Sequence, residues 1–478
     1  MTTGTLSDLL VIEADPELWG YVCPVSGVPY WQLIRTHLFR VIMSDKYYAQ
    51  PIVPSSAVAA PKSRMLNTAV RSLINNMRVG FPKAPVTVMA TAVGMIHSDG
   101  GWMNRLADHF VRANPSATLL IEDQFQWNWR APRVVSPIRY HMPLQATAVL
   151  RSRLAPRAEF QEIAKSVLAI AAKRSEDLLG YALDGERLSL LERRLAARAS
   201  ELPHLYTAYI GMLRRLGTKI LLKEEACYAG GATVMAAANH LNIVTAEYQH
   251  GLISRGHDAY NFSPDVLDLP ALRHCLPRYL LTYGDWWNQQ MCLPVERVTV
   301  GNPHRSYALE GLEPEGSRSD VVLFLGDGLD TTASLKMAAT LAKAVSPAGL
   351  RLIFRPHPLE RQQISKMVIA ETIAIDQVPD ISASMAGVAA VIGETSTGLF
   401  EAAGLAKRVF VWDTPKSQFA LGEHLFETFT TAEELAAKLG QPSSRLGSAA
   451  DKLWAPNWQM NYARFLRDHG VSSGDGGS

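Results

Sequence analysis

The sequence predicts an α/β protein made of two doubly wound, parallel-sheet domains. Three observations carry this. Short runs rich in Val, Ile, Leu and Phe alternate with helical segments, the order that builds parallel sheets. The alternation breaks at a stretch rich in Gly, Pro, Ser and charge, residues 305–320, and then restarts. Polar residues crowd just beyond several apolar runs, where open α/β sheets bind ligands.

The opening WGYVCPVSGVPYWQLIRTHLFRVIM reads as a hairpin turning at Ser26-Gly27, then a helix from about Pro29, proline being favoured in a first helical turn. Residues 50–64, rich in Pro, Ala and Ser, read as loop. PVTVMATAV (85–93) reads as a buried strand, HSDGG as a loop, WMNRLADHFVRAN as a helix and ATLLIED (117–123) as a second strand. Residues 144–216 read as mostly helical, with apolar residues at three- and four-residue spacing. TKILLKEE, NIVTAEYQHG, RYLLTYGDWW and ERVTVGNPH supply further strands, and GGATVMAAANHL a helix. Beyond the linker, VVLFLGDG, LRLIFRPHP and GVAAVIGETSTGLFEAAGLAKRVFVW repeat the pattern around the helix TTASLKMAATLAKAV. A last helix, NWQMNYARFLRDHG, puts Trp458, Tyr462 and Phe465 on one face. The expected organisation is a first Rossmann-like domain over 1–304 with a helical insertion at about 144–216, and a linker at 305–320. A second such domain follows over 321–470 with the terminal helix, then a disordered tail at 471–478.

Of 478 residues 47% are hydrophobic, enough for a real core, and the net charge of +2 argues against a general nucleic-acid binder. The four cysteines, Cys23, Cys227, Cys275 and Cys292, show no paired spacing, so neither a disulfide framework nor a zinc site is expected. No apolar run approaches the roughly 20 residues that span a bilayer. The N-terminal MTTGTLSDLLVIEADPE lacks the basic-then-apolar order of a signal peptide. The expectation is a soluble cytoplasmic protein with room for peripheral contact with the inner membrane or with assembly machinery. The basic residues Arg151, Arg153, Arg157, Lys173, Arg174, Arg193, Arg194 and Arg198 read as a solvated face or as a surface for an anionic lipid or glycan.

Four constellations are candidates for chemistry. In GETSTGLFEAAG (393–404) a strand runs into Glu394, Thr395, Ser396 and Thr397 at a helix start, with Glu401 one to two turns on. Free N–H groups and hydroxyls there suit a phosphate, and an ordinary N-cap is the competing reading. In RPHP, Arg355, His357 and Pro358 follow a strand, and the flanking prolines restrict the backbone. That suits phosphate binding, against the commoner case of a satisfied buried histidine. In LGDGLDTT, Asp327 and Gly328 end the first strand of the second domain, as a ligand contact or as a tight turn. In YQHGLISRGHDAY (248–260), His250, His257 and Asp258 follow a strand, with Glu224, Glu225 and Asp99 at neighbouring strand ends. These could include a general base, against solvated loop charges. No GxSxG elbow, P-loop, HExxH or EF-hand loop occurs.

Taken together, QHG after a strand, GNP before the linker, RPHP, and TSTGLFEAAGLAKRVFV resemble bacterial surface-polysaccharide glycosyltransferases of the GT-B fold. The nearest echoes are the capsule and lipopolysaccharide enzymes, Kdo transferases, sialyltransferases with an HP motif and polyol-phosphate transferases. The resemblance covers roughly residues 215–415. It implies two Rossmann-like domains facing a central cleft, a nucleotide-sugar donor in the second and a glycan or glycolipid acceptor in the first, with no nucleic acid and no cofactor. His357, Ser396 and Thr397 would contact the donor phosphate, with Asp327, Gly328, Arg355, Pro358, Glu394, Thr395 and Glu401 around it. The resemblance also implies metal independence, helix ends and side chains stabilising the leaving group instead, and no DxD pair occurs. A CMP-linked acid such as Kdo or sialic acid is slightly favoured over UDP- or GDP-sugars. Asp258 is the first choice as base, ahead of His250, Glu225 and Asp99. The spacing of Glu394 and Glu401 is one residue short of that in the retaining families, so stereochemistry stays open. A polyol-phosphate transferase, a nucleotide-sugar epimerase on the same fold and a non-catalytic glycan-binding assembly protein are the alternatives.

Overall fold

The computed structural model describes residues 4–48, 60–98, 100–154, 157–310, 312, 318–358, 360–442 and 449–472. The strands, in chain order, are β1 Val86–Ala90, β2 Met95–Ser98, β3 Gly101–Asn104, β4 Thr118–Glu122, β5 Ile138–Tyr140, β6 Ile220–Lys223, β7 Val244–Tyr248, β8 Tyr279–Thr282, β9 Glu296–Thr299, β10 Val321–Leu325, β11 Arg351–Arg355, β12 Ala374–Ile375, β13 Ala390–Gly393, β14 Val409–Trp412 and β15 Glu427–Phe429. Six of them, β1, β4, β5, β8, β10 and β13, are buried throughout, as strands with both faces covered must be.

Two sheets form. The first runs β5-β4-β1-β6-β7-β8-β9 and the second β12-β11-β10-β13-β14-β15, and every pairing in both is parallel. In each, the chain winds outward from the first strand, then returns to pair on that strand's other side. This is the doubly wound order, and it places a switch point at β1/β6 in one sheet and at β10/β13 in the other. Two such sheets in one chain are the pair of Rossmann-like domains expected from the sequence. The helices Arg157–Leu179 and Gly185–Leu216 form the insertion between β5 and β6.

The structure differs from the sequence reading in several places; the helix expected from about Pro29, for one, begins only at Arg35, after a 3-10 turn at Trp31–Leu33. Where the sequence reads a loop and then a helix, Met95–Ser98 and Gly101–Asn104 pair antiparallel, β2 with β3, and the helix begins only at Asp108. Tertiary contacts decide this, because Trp102 exchanges backbone hydrogen bonds with Pro132 and Val134 while Asp108 accepts from the Asn104 amide at 2.9 Å. Within the expected loop 50–64, a helix starts at Lys62 and runs to Val79; residues 49–59 lie outside the described residues. The expected linker begins inside the helix Pro303–Glu310, whose first turn is capped by Asn302 accepting from the Arg305 amide at 3.0 Å; residues 311 and 313–317 lie outside the described residues. Finally, the terminal helix Trp458–Asp468 packs on the first sheet and not on the second. Trp458, Tyr462 and Phe465 share a core with Val86, Phe110 and Tyr279. Tyr462 meets Phe110 at 5.0 Å and Phe465 meets Tyr279 at 5.5 Å between ring centroids. Of the tail expected to be disordered from residue 471, Val471 is buried in the same core and the Ser472 carbonyl accepts from Asn114 Nδ2 at 3.3 Å; residues 473–478 lie outside the described residues.

Desolvation disfavours the charged form of four histidines, of which His109 is buried and His37, His257 and His304 are half-buried. Burial, reinforced by neighbouring cations, lowers His37, His257 and His304 to about 4 and His109 to about 3. The unfolded chain takes up these protons below the ordinary histidine value of 6.5, whereas the folded chain does not until near its lowered values. The stability present above that pH is therefore lost as pH falls towards 4. The melting temperature should decline progressively on acidification from neutral; a flat or rising profile across that window would contradict the assignment.

Candidate active site

In the second domain, β10 runs into Gly326, Asp327 and Gly328, and β13 into Glu394 and Thr395. Asp327 and Glu394 were expected to meet a donor, but here both carboxylates face Lys416, in the first turn of the helix Pro415–Leu421. Lys416 Nζ lies 2.9 Å from Asp327 Oδ2 and 2.5 Å from Glu394 Oε2. Thr395 Oγ1 donates to Asp327 Oδ2 at 2.7 Å, and Thr414 Oγ1 donates to Glu394 Oε1 at 2.6 Å. All three charged groups are buried. One cation does not fully compensate two carboxylates. Burial would raise Asp327, but Lys416 outweighs it and holds that carboxyl below its ordinary pKa. For Glu394 burial prevails over Lys416, and the pKa rises. The trio knits β10, β13 and the β14 loop together at the switch point.

The RPHP turn is equally built. Arg355 does not present its guanidinium to a ligand here: Nη1 pairs with Asp376 at 2.6 Å and donates to the Val378 carbonyl and Ser384 Oγ, while Nη2 donates to the Pro379 carbonyl. Glu360 accepts from the His357 amide and from Thr331 Oγ1, both at 2.8 Å, which fixes the backbone of the turn. His357 is half-buried and Pro358 exposed. Gly328 has φ +80, and a Cβ there would sit 2.8 Å from His357 Nδ1, so glycine is what lets the ring lie over the β10 loop. Burial lowers the His357 pKa, with Arg105 assisting and Asp327 opposing. Arg105 comes from the first domain, is half-buried, and makes no side-chain hydrogen bond or ion pair among the described residues. No sequence motif marked it.

The helix expected after Thr397 is a single turn, Gly398–Glu401. Its dipole is correspondingly small. Ser396 Oγ accepts from the Gly398 amide at 3.3 Å. Thr397 Oγ1 lies 4.0 Å from where a Cβ on Gly251 would stand, so the two domains touch here. Glu401 is half-buried, and its carbonyl receives Arg305 Nη1 at 2.6 Å.

Across the interface, the first domain presents its β6 and β7 ends. Glu224 is consumed by Thr91, which donates its amide and hydroxyl to the carboxylate at 2.8 and 2.7 Å. Glu225, next to it, has φ +57, a left-handed conformation rarely adopted by a glutamate. It is half-buried, and its carboxylate makes no hydrogen bond among the described residues. Glu247, at the end of β7, is fully buried and accepts from Tyr260 Oη at 2.5 Å and the Cys227 amide at 2.8 Å. Its Oε1 stands 3.6 Å from His250 Nδ1. Burial alone would lower the His250 pKa, but Glu247, with Glu224 and Glu225, outweighs it and raises the value. His250 Nε2 makes no hydrogen bond among the described residues. Tyr260 Oη lies 3.4 Å from the same ring nitrogen, so carboxylate, phenol and imidazole form one cluster. Sequence reasoning named His250 and passed over Glu247, which looked like a buried strand residue.

Asp258 is placed differently from the expectation. It is buried and ion-paired with Arg40, 2.8 Å from Nε. Burial would raise its pKa, but Arg40 holds it below the ordinary carboxylate range, which makes it a poor base. His257 Nε2 is held 2.9 Å from Tyr228 Oη. Asp99 lies outside the described residues. The rest of the loop binds the domains together. Ser254 Oγ donates to the Ala420 carbonyl at 2.5 Å, and a Cβ on Gly256 would overlap the Phe419 carbonyl. The loop after β7 thus leans on the helix that carries Lys416.

Comparison with family models and with curated proteins finds no match for this chain. Among solved structures, similarity is found to S. aureus MnaA with UDP at 9% identity, covering 80% of this chain and 95% of that one with a TM-score of 0.44. The calicheamicin glycosyltransferase CalG4 is similar at 10% identity, covering 81% and 95% with a TM-score of 0.39. The wall teichoic acid polymerase TagF, soaked with CDPG, is similar at 12% identity, covering 86% and 97% with a TM-score of 0.41.

Proposed function

We propose that the protein is a glycosyltransferase that moves a sugar from a nucleotide-activated donor onto a bacterial capsule or lipopolysaccharide glycan. The observation that carries this reading is the meeting of strand ends from both sheets. Thr397 of the second domain stands against Gly251 of the first. On one side lie His357, Ser396 and the unpaired Arg105, cationic or hydrogen-bonding groups suited to a departing phosphate. On the other lie the Glu247–His250 pair, for deprotonating an acceptor hydroxyl, and the unpartnered Glu225, for holding sugar hydroxyls. The HP resemblance favours a CMP-linked acidic sugar such as Kdo or sialic acid as donor. The bond from the anomeric carbon to the nucleotide phosphate breaks, the acceptor oxygen takes its place, and His250 receives the acceptor proton.

A thermal-shift screen across CMP, CDP, UDP, GDP and ADP identifies the base, because a ligand that binds only the folded state raises its apparent stability. With the donor known, His357→Ala should lower kcat/KM by about 10²–10³-fold with an unchanged melting temperature. Near-normal kinetics would remove His357 from the phosphate site. Incubation of donor without acceptor separates this reading from an epimerase: conversion of the nucleotide sugar alone would favour epimerisation, whereas acceptor-dependent release of nucleotide supports transfer.

A further inference from the structure

The helix Lys62–Val79 is mounted inside out. A helix on a water-facing surface ordinarily turns its apolar stripe to the core. Here the polar side chains face inward. Thr68 Oγ1 donates to the Trp127 carbonyl at 2.8 Å, and Ser72 Oγ to Gln124 Oε1 at 2.7 Å. Asn75 and Asn76 donate to the carbonyls of Ile138 and Tyr140 at 2.8 and 2.7 Å. The apolar stripe faces out, with Leu66 67%, Leu73 51% and Met77 69% exposed and Val70 and Ile74 between them. Scattered exposed apolar residues need no explanation, but a continuous stripe does. The adjoining helix Met142–Ser152 adds Leu150, 62% exposed, and Leu154 follows it at 88%.

Charge selects the occupant. Lys62, Arg64, Arg71 and Arg78 lie on this helix, and it contains no Asp or Glu. A second copy seated on the stripe would bring like charges together, whereas an anionic bilayer complements both the stripe and its basic flanks. No helix among the described residues is long and apolar enough to cross a membrane, so the mode is surface docking. We propose that this helix, with Leu150 and Leu154 beside it, docks the first domain on an anionic lipid surface. The inference stands on the helix and not on the transfer reaction.

The test is co-sedimentation of the full chain with phosphatidylglycerol-containing vesicles and, in parallel, with phosphatidylcholine vesicles. Binding to the anionic vesicles that weakens with salt is expected. The exposed double variant Leu66→Asp/Met77→Asp should bind at least about tenfold more weakly, with an unchanged melting temperature. Should that variant melt early, Arg64→Glu/Arg71→Glu decides instead, each lost cation lowering binding by about fivefold. Failure of the unaltered protein to bind, or equal binding to both vesicle types, would overturn the proposal. So would a lipid-free dimer that the double variant dissociates, which assigns the face to a second copy.

Discussion

Replacing His250 with glutamine is expected to lower turnover by about 10²–10⁴-fold, the range for loss of a general base, with little change in folding. Nδ1 faces Tyr260 Oη at 3.4 Å and Glu247 Oε1 at 3.6 Å, and Nε2 is the ring nitrogen left for an acceptor hydroxyl. Glu247 keeps Tyr260 and the Cys227 amide as partners in the variant, so its buried charge is not abandoned. A second readout separates positioning from simple damage. The base must be neutral to act, so activity rises as pH climbs through the His250 pKa, which its carboxylate neighbours raise. In Glu247→Gln that support is lost, and the acidic limb should move to lower pH. An unmoved limb, or a His250→Gln enzyme of ordinary turnover, would transfer the base role elsewhere, with Glu225 next in line.

Arg35→Ala should cost about 3–5 kcal/mol of stability, the effect of stranding one partner of a buried ion pair. Arg35 and Glu13 are both fully buried, with Nε to Oε2 at 2.6 Å and Nη2 to Oε1 at 2.7 Å. The same guanidinium donates to the Asp258 carbonyl at 2.6 Å and the Asn261 carbonyl at 2.8 Å, and Glu13 also accepts the Ser263 amide at 3.0 Å. One ion pair thereby ties the N-terminal segment to the loop that leans on the second domain. Urea unfolding measures the loss. A midpoint close to that of the unaltered protein would show that the loop holds without it. Because substitution here also loosens the loop, activity should fall together with stability, unlike in His250→Gln.

What was legible in the sequence follows from how local each signal is. The inner strands β1, β4, β8, β10 and β13 are buried along their length, so they read as continuous apolar runs whatever surrounds them. His357 and Thr397 could be named because they follow such runs directly. Misreadings arose where a distant partner decides. The β2–β3 hairpin depends on the loop at Pro132–Val134. Arg355 looked like a ligand group until Asp376 and Ser384 closed around it. Asp258 looked like a free acid, yet Arg40 lies 218 residues earlier in the chain. Lys416 and Arg105 carry no motif, since a single cation on a half-buried loop or helix start looks the same whether solvated or aimed at a site.

By itself, then, the sequence determined the two-domain α/β order, the strand ends that could hold a ligand, and the rough place of each constellation. Those depend on apolar runs and turn residues, which act over a few neighbours. Only the tertiary structure decided which polar groups remain unpartnered. Ion pairing and hydrogen bonding consume Asp327, Glu394, Arg355, Glu224 and Asp258, while Glu225, Arg105 and His250 Nε2 make no side-chain hydrogen bond among the described residues. Buried polar groups must find partners wherever the fold supplies them, so the free ones emerge only after the chain has closed on itself.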